Sequence, residues 1–353
     1  MSLAGWYGLM SNKRKEVDLY TEAGYLNVPG LFEVSTIFNF IVGGRGIGKT
    51  YGFLKYLIEN KILFLYLRRT QKQTDIINKP QYSPVKPVMR DMGQPYDQAM
   101  NAGGSAVITS GDDVLGYTAA LSTFASLRSF DMSDVKVIIY DEFIPEPTER
   151  ATIKNEYEGF LNMYETVNRN RELQGIEPVK LFALANANKL DNALFMGLEL
   201  ISVSDKMLKR KKESYHDMKR SISVYYPQRS PISAKKAKTA LYNLAGETGD
   251  FSQMAIGNQY AVDQSDIKNR PLIEYKPVVN LGEICIYRHK SDSKRYYTTS
   301  VTAKGSAPAY PATERGIEQF KERHGRLLLA FFYGDQFEYA SLFAKTLLRA
   351  YLT

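Results

Sequence analysis

An α/β fold built on a parallel sheet, with a phosphate-binding loop at one strand end, is predicted by three features of this sequence. The first is the apolar run Ile37–Val42, which leads into Gly43-Gly44-Arg45-Gly46-Ile47-Gly48-Lys49-Thr50 and then into a segment, 51–60, that continues as a helix. The second is Val135–Tyr140, a β-branched apolar run that ends in Asp141-Glu142. A strand buried on both faces reads in this way when its C-terminal end faces a ligand. The third is the alternation of apolar runs with helical stretches, which a parallel sheet requires.

The glycine-rich octet is a complete Walker A pattern. Its backbone N–H groups wrap a triphosphate if a strand delivers them and a helix N-terminus completes the cradle. Gly43, Gly46 and Gly48 let the backbone approach without Cβ clashes, and Gly44, Arg45 and Ile47 complete the loop. Lys49 then reaches the β- and γ-phosphates, and Thr50 holds Mg²⁺. At the second strand end, Asp141 orients Mg²⁺ and Glu142 polarises the water that attacks the γ-phosphate. The competing reading of Asp141-Glu142 alone is a helix N-terminal cap.

The remaining elements follow in order. Trp6, Tyr7 and Leu9 pack an N-terminal extension. Leu63–Leu67 is a second buried strand, ending at Arg68-Arg69, and residues 71–104, rich in Pro, Gln and Asn, form a surface excursion. Ala106–Thr109 and Tyr117–Leu121 are edge strands. A helix starts at an Asn155 N-cap and carries Tyr157, Phe160, Leu161, Tyr164 and Val167 at helical spacing. Arg169 falls opposite that stripe and projects away from its own core, whereas Arg171 falls within it if the helix extends so far. An arginine so displayed reaches a neighbouring subunit's γ-phosphate, or else is a cation at a helix C-terminus.

The apolar run Val179–Ala185 is a strand ending at Asn186, a polar group that positions water against the γ-phosphate. Asn188-Lys189-Leu190-Asp191 matches the base-reading motif of GTPases, but Ile144 stands where those enzymes place glycine, so ATP is favoured over GTP. The basic run Lys206–Arg220, followed by Lys235, Lys236 and Lys238, reads as a nucleic-acid backbone contact or as a solvated linker. Tyr225–Lys238 marks a boundary, and Ala234–Ala245 is a short helix stopped by Gly246. Beyond it the order is strands Leu272–Val279, Ile284–Arg288 and Lys294–Val301, helix Ala312–His324, strand Arg326–Tyr333 and helix Tyr339–Tyr351. That order is ribonuclease-H-like, with a basic hairpin tip at Arg288–Arg295. Glu274, Glu322 and Asp335 are the carboxylates an active nuclease would use, but no dense acidic cluster surrounds them.

With 353 residues and 44% hydrophobic content, the chain has material for two or three cores. We expect an ATPase domain over 1–205, a linker module over 206–262 and a nuclease-like module over 263–353. No apolar stretch reaches membrane-spanning length and no leader is apparent, so no membrane association is expected. Cys285 is the single cysteine and His216, His289 and His324 are scattered, which gives no zinc constellation and fits a cytosolic setting. The net charge of +8 favours a polyanionic partner.

Several of these strings resemble those of the phi-29-like bacteriophage genome-packaging ATPases. They are the octet with Arg45 inside it, Asp141-Glu142-Phe143-Ile144, Thr166-Val167-Asn168-Arg169-Asn170-Arg171-Glu172 and Leu184-Ala185-Asn186-Ala187. A thinner match lies at Gly257-Asn258-Gln259-Tyr260. The resemblance implies an ASCE-type P-loop ATPase related to RecA and the FtsK/HerA translocases. It implies a homopentameric ring at the portal (connector) vertex of an empty prohead that threads double-stranded DNA, with Arg169 acting in trans. It also implies a C-terminal domain like a vestigial nuclease of RNase H type. The setting it implies is the host cytoplasm, with transient docking on the prohead and absence from the mature virion. A structural packaging RNA is a further partner that the resemblance allows.

Overall fold

The computed structural model describes residues 17–353, apart from 128–129, 147–152, 188–189, 191, 229, 246–265, 304 and 353. Trp6, Tyr7, Leu9, Gly246 and Gly257–Tyr260 lie outside the described residues. The chain divides into two compact units, one made of residues 1–197 and 210–261, the other of 198–209 and 262–353.

The first unit is a mixed α/β structure around a nine-stranded sheet. Its strands are β1 (Phe38–Val42), β2 (Phe64–Arg68), β3 (Asp97–Met100), β4 (Ala106–Ser110), β5 (Asp113–Ala120), β6 (Val137–Asp141), β7 (Lys180–Ala185), β8 (Ser214–Asp217) and β9 (Ile222–Tyr225). They lie in the order β3-β4-β5-β2-β6-β7-β1-β9-β8. The six inner strands from β5 to β9 run parallel. β3, β4 and β8 add antiparallel edges. The inner strands are the apolar runs of the sequence, and Ile138, Ile139, Leu181 and Leu184 are fully buried, as both faces of a covered parallel sheet demand. Helix Lys49–Glu59 covers β1 with Phe53, Leu54 and Leu57, spaced to bury one face.

The structure corrects four expectations in this unit. Residues 71–104 are no loose excursion: they hold helices Gln71–Ile77 and Val85–Asp91 and strand β3, with Val85, Val88 and Met89 fully buried. β4 and β5 are consequently not edge strands, because β3 takes the edge. No separate linker module starts at 206. β8 and β9 join the sheet beside β1, and the basic run divides, with Lys206 and Lys209 on helix Ile201–Lys209 of the second unit. Residues 231–245 form two short helices, Pro231–Lys236 and Ala240–Ala245, in place of one.

The second unit holds a five-stranded sheet of β10 (Tyr275–Leu281), β11 (Ile284–His289), β12 (Tyr296–Thr299), β13 (Ala309–Tyr310) and β14 (Phe337–Tyr339), in the order β13-β10-β11-β12-β14. Helix Leu342–Leu352 packs on it with Ala344, Leu348 and Leu352. Arg326–Tyr333 is a helix, not the expected strand. Gly325 adopts helical φ and ψ, so it does not stop the preceding helix, and Leu328, Phe331 and Phe332 face the core at helical spacing. The last strand is Phe337–Tyr339, and it pairs in parallel with β12. The order β-β-β-β-α-α-β-α thus departs from the ribonuclease-H-like order expected from the sequence.

Candidate functional site: a phosphate-binding cleft at the ends of three strands

β7 lies between β1 and β6, so one C-terminal edge of the sheet presents the loop 43–50, Asp141-Glu142 and Asn186 side by side. They line a cavity of about 340 Å³, together with Arg45, Tyr51, Glu146 and Ala185. Gly46 and Gly48 have φ of 73° and 86°, a left-handed turn that lets the loop fold back onto the helix N-terminus. The Ile47 side chain is buried beneath it.

Lys49 is pinned at the floor. Its Nζ donates to Gly43 O at 2.7 Å, to Gly44 O at 2.8 Å and to Asn186 Oδ1 at 3.1 Å. Burial pushes the Lys49 ammonium down to about 8; the Asp141 carboxylate opposes that shift, while Lys236 and Arg45 add to it. Three neutral acceptors thus hold a cation that has no anionic partner in contact among the described residues.

The Thr50 hydroxyl donates to Asp141 Oδ2 at 2.9 Å, and the Tyr66 hydroxyl donates to the same oxygen at 2.5 Å. A hydroxyl and a carboxylate side by side beside a phosphate cradle are the hard oxygen donors that Mg²⁺ takes. The donor set therefore fits Mg²⁺ held by Thr50 and Asp141. Among the described residues no group of three or more His, Cys, Asp or Glu side chains stands ready for a metal, and Glu274, Glu322 and Asp335 form no such group.

Glu142 has a left-handed backbone, with φ of 56°, which turns its side chain off the strand line into the cleft. Burial raises its pKa; Arg68 opposes that, and Asp141 and Glu146 raise it further. Arg68, at the end of β2, donates through Nη2 to Glu142 Oε2 and has Nη1 3.6 Å from Asp141 Oδ2. One guanidinium therefore holds both carboxylates. Arg45 forms an ion pair with Glu146 at the rim.

Arg169 stands apart, outside the residues that line the cleft. It follows helix Glu156–Asn168 with φ of 48°; its Nη2 is 3.4 Å from Phe130 O and 3.6 Å from Asp131 Oδ1, and about half its side chain is exposed. Arg171 is instead buried, donating to Ser133 O and Val135 O. Leu161, expected on the buried stripe, is exposed, and Met163 takes its place beside Phe160 and Val167. Asn188, Lys189 and Asp191 lie outside the described residues.

Sequence reasoning overlooked Tyr66, Arg68, Glu146 and Lys236. Arg68 was visible as a cation ending an apolar run, but its target depended on β2 lying beside β6. Lys236 donates to Arg45 O at 2.8 Å and was grouped with the nucleic-acid contacts. Nothing in the local sequence signals that role, which exists only because β9 pairs with β1.

Residues 21–278 match the family described as podovirus DNA encapsidation protein (Gp16). The chain is 29% identical over 244 residues to the DNA packaging protein of Bacillus phage phi29, which spans 68% of this chain and 67% of the relative; the corresponding protein of Bacillus phage PZA matches to the same extent. Among solved structures, the bacteriophage phi-29 viral genome packaging motor assembly aligns over 92% of this chain and 95% of that one, with a TM-score of 0.60 and 19% identity. The phi-28 gp11 DNA packaging motor aligns over 91% and 95%, with a TM-score of 0.56 and 19% identity. At such identity these two likenesses speak for the fold alone.

Proposed function

Since the chain belongs to the podovirus DNA encapsidation protein family and is a DNA packaging protein of the phi29 type, we propose that its cleft hydrolyses ATP and that hydrolysis drives double-stranded DNA into a preformed prohead. The observation that carries this reading is the convergence of Lys49, Thr50, Asp141, Glu142 and Asn186 on one cleft. The strand order, with β7 between the loop strand and the carboxylate strand, supports reading the unit as an ASCE-type ATPase.

Lys49 exchanges its three neutral acceptors for β- and γ-phosphate oxygens. Thr50 and Asp141 would hold Mg²⁺, which would offset phosphate charge when bound. Tyr66 fixes one oxygen of Asp141; burial, then Asp141, keep the Tyr66 phenol protonated by pushing its pKa well up. Glu142 accepts a proton from the attacking water once Arg68 yields its hold, and Asn186 orients that water.

The copies form a homopentameric ring at the portal vertex in the host cytoplasm, docking on the prohead and leaving the mature virion without them. Packaging RNA is a possible additional contact. Arg169 enters the neighbouring subunit's cleft. Its exposure and its weak tethers, at 3.4 and 3.6 Å, support that role. The C-terminal unit is a nucleic-acid-holding module that grips phosphates through surface Lys and Arg, without reading bases.

The test is ATP turnover by the purified chain with and without procapsid and DNA. Stimulation by both, and its loss in Lys49→Ala, are expected. GTP outcompeting ATP, or turnover indifferent to DNA and procapsid alike, would overturn the reading.

A further inference from the structure

We propose that Tyr25 is the platform on which the nucleotide's purine base stacks. The inference rests on the triphosphate reading of the cleft and adds its base end. Gly48 closes the phosphate loop and caps helix Lys49–Glu59. The Tyr25 ring lies directly against it: a Cβ added to Gly48 would stand 3.2 Å from Tyr25 Cδ1. The side chain is nonetheless 45% exposed. Among the described residues its hydroxyl makes no hydrogen bond and its ring stacks on no other ring; only its backbone is engaged, N–H to Thr21 Oγ1 at 3.2 Å and carbonyl from Thr21 N–H at 2.8 Å. A large half-exposed aromatic ring beside a phosphate loop has an uncovered face of the kind a base covers.

The turn that carries it is fixed on both sides. Leu26 N–H donates to Ile47 O at 2.9 Å, which ties the turn to the loop itself. Ser230 Oγ donates to Gly24 O at 2.7 Å, and Gly24, with φ of 87°, sits so close to Pro231 that a Cβ there would come within 2.8 Å of it. The ring is therefore held against the loop before any ligand arrives, which lowers the entropy lost on stacking. Tyr51, next after Thr50, lines the cleft, with its hydroxyl anchored on Asp91 Oδ2 at 2.9 Å. With the phosphates over Lys49 and Thr50, the sugar and base leave the cradle across Gly48 and meet Tyr25. Stacking touches the face of a base and not its edge, so it favours purines over pyrimidines and contributes nothing to telling adenine from guanine.

The test uses the full chain with Mg²⁺ in a Glu142→Gln background, which suppresses turnover, and measures calorimetric affinity for ATP, CTP and inorganic tripolyphosphate. Tyr25→Ala is expected to weaken ATP by about tenfold or more, to leave tripolyphosphate unchanged and to shrink the preference for ATP over CTP. Tyr25→Phe is expected to bind ATP as the parent does. Unchanged ATP affinity in Tyr25→Ala would overturn the proposal. An equal loss for ATP and tripolyphosphate would also overturn it, because the ring would then merely support the loop. A Glu142→Gln parent that binds neither ATP nor tripolyphosphate would overturn the triphosphate reading, and the base platform with it.

Discussion

Lys49 is a cation surrounded by neutral carbonyls, and its protonation is coupled to whatever fills the cleft. Its folded pKa of about 8 lies below the unfolded value of roughly 10.4. Between those values the unfolded chain holds more protons than the folded one, so Lys49 adds stability as pH rises through that window and costs it below about 8. A triphosphate reverses the balance by favouring the charged form. ATP binding near pH 9 is therefore expected to take up protons, seen as a binding enthalpy that varies with buffer ionisation; in Lys49→Met the variation should vanish. Glu142 gives the matching argument for the base. It works only as a carboxylate, and its pKa, raised by burial, is held back by Arg68. Arg68→Ala removes that restraint, so the acid limb of the kcat/KM profile should move to higher pH. Glu142→Gln should cut turnover by about 10² to 10⁴ while leaving ATP bound. A profile unmoved by Arg68→Ala would mean that the contact between Arg68 and Glu142 has no bearing on the base.

Between elements, the tie that places this chemistry is an ion pair inside the fold. Arg69, one residue beyond β2, meets Glu156 at the start of helix Glu156–Asn168 through bonds of 2.7 and 3.0 Å, and Tyr140 of β6 adds a third contact at 3.3 Å. Both charged residues are buried, so removing one takes a charged partner from the other, away from water. Glu156→Ala is expected to cost about 3–5 kcal/mol, read from chemical denaturation, with a lowered Tm. Sequence reasoning could not find this pair, because 87 residues separate its members. What it did find were elements with their own local pattern: β1, β2, β6 and β7 are continuous apolar runs, and a run of that kind closed by a glycine loop or a carboxylate pair carries its function with it. Arg326–Tyr333 was misread because an apolar run has no distinctive period, and the unbroken helical backbone through Gly325 is a tertiary outcome. Residues 71–104 looked like a loop because their Pro, Gln and Asn obscured the buried face of Val85, Val88 and Met89.

At the scale of the whole molecule, the question is where the charge that completes the cleft comes from. Among the described residues of one chain, Lys49, Arg45 and Lys236 are cations at the phosphate loop, and Arg45 is engaged by Glu146. Arg68 is taken up by the two carboxylates it must release. Arg169 lines no part of its own cleft, which supports the proposal that it serves another copy. That division of labour has a consequence that no monomeric enzyme shares. Arg169→Ala should bind ATP normally and turn over at least 10² to 10³ times more slowly, the scale of a lost arginine finger. Lys49→Ala should be equally inactive for the opposite reason, since it keeps its finger and loses its cleft. Mixed before assembly, the two inactive chains place an intact cleft from one beside an intact finger from the other at some of the interfaces, and those interfaces should hydrolyse ATP. Activity in the mixture above the sum of the separate chains, measured on assembled particles, is the expected outcome. If the mixture stays as silent as its components, Arg169 acts within its own chain or not at all, and the proposed role in trans fails.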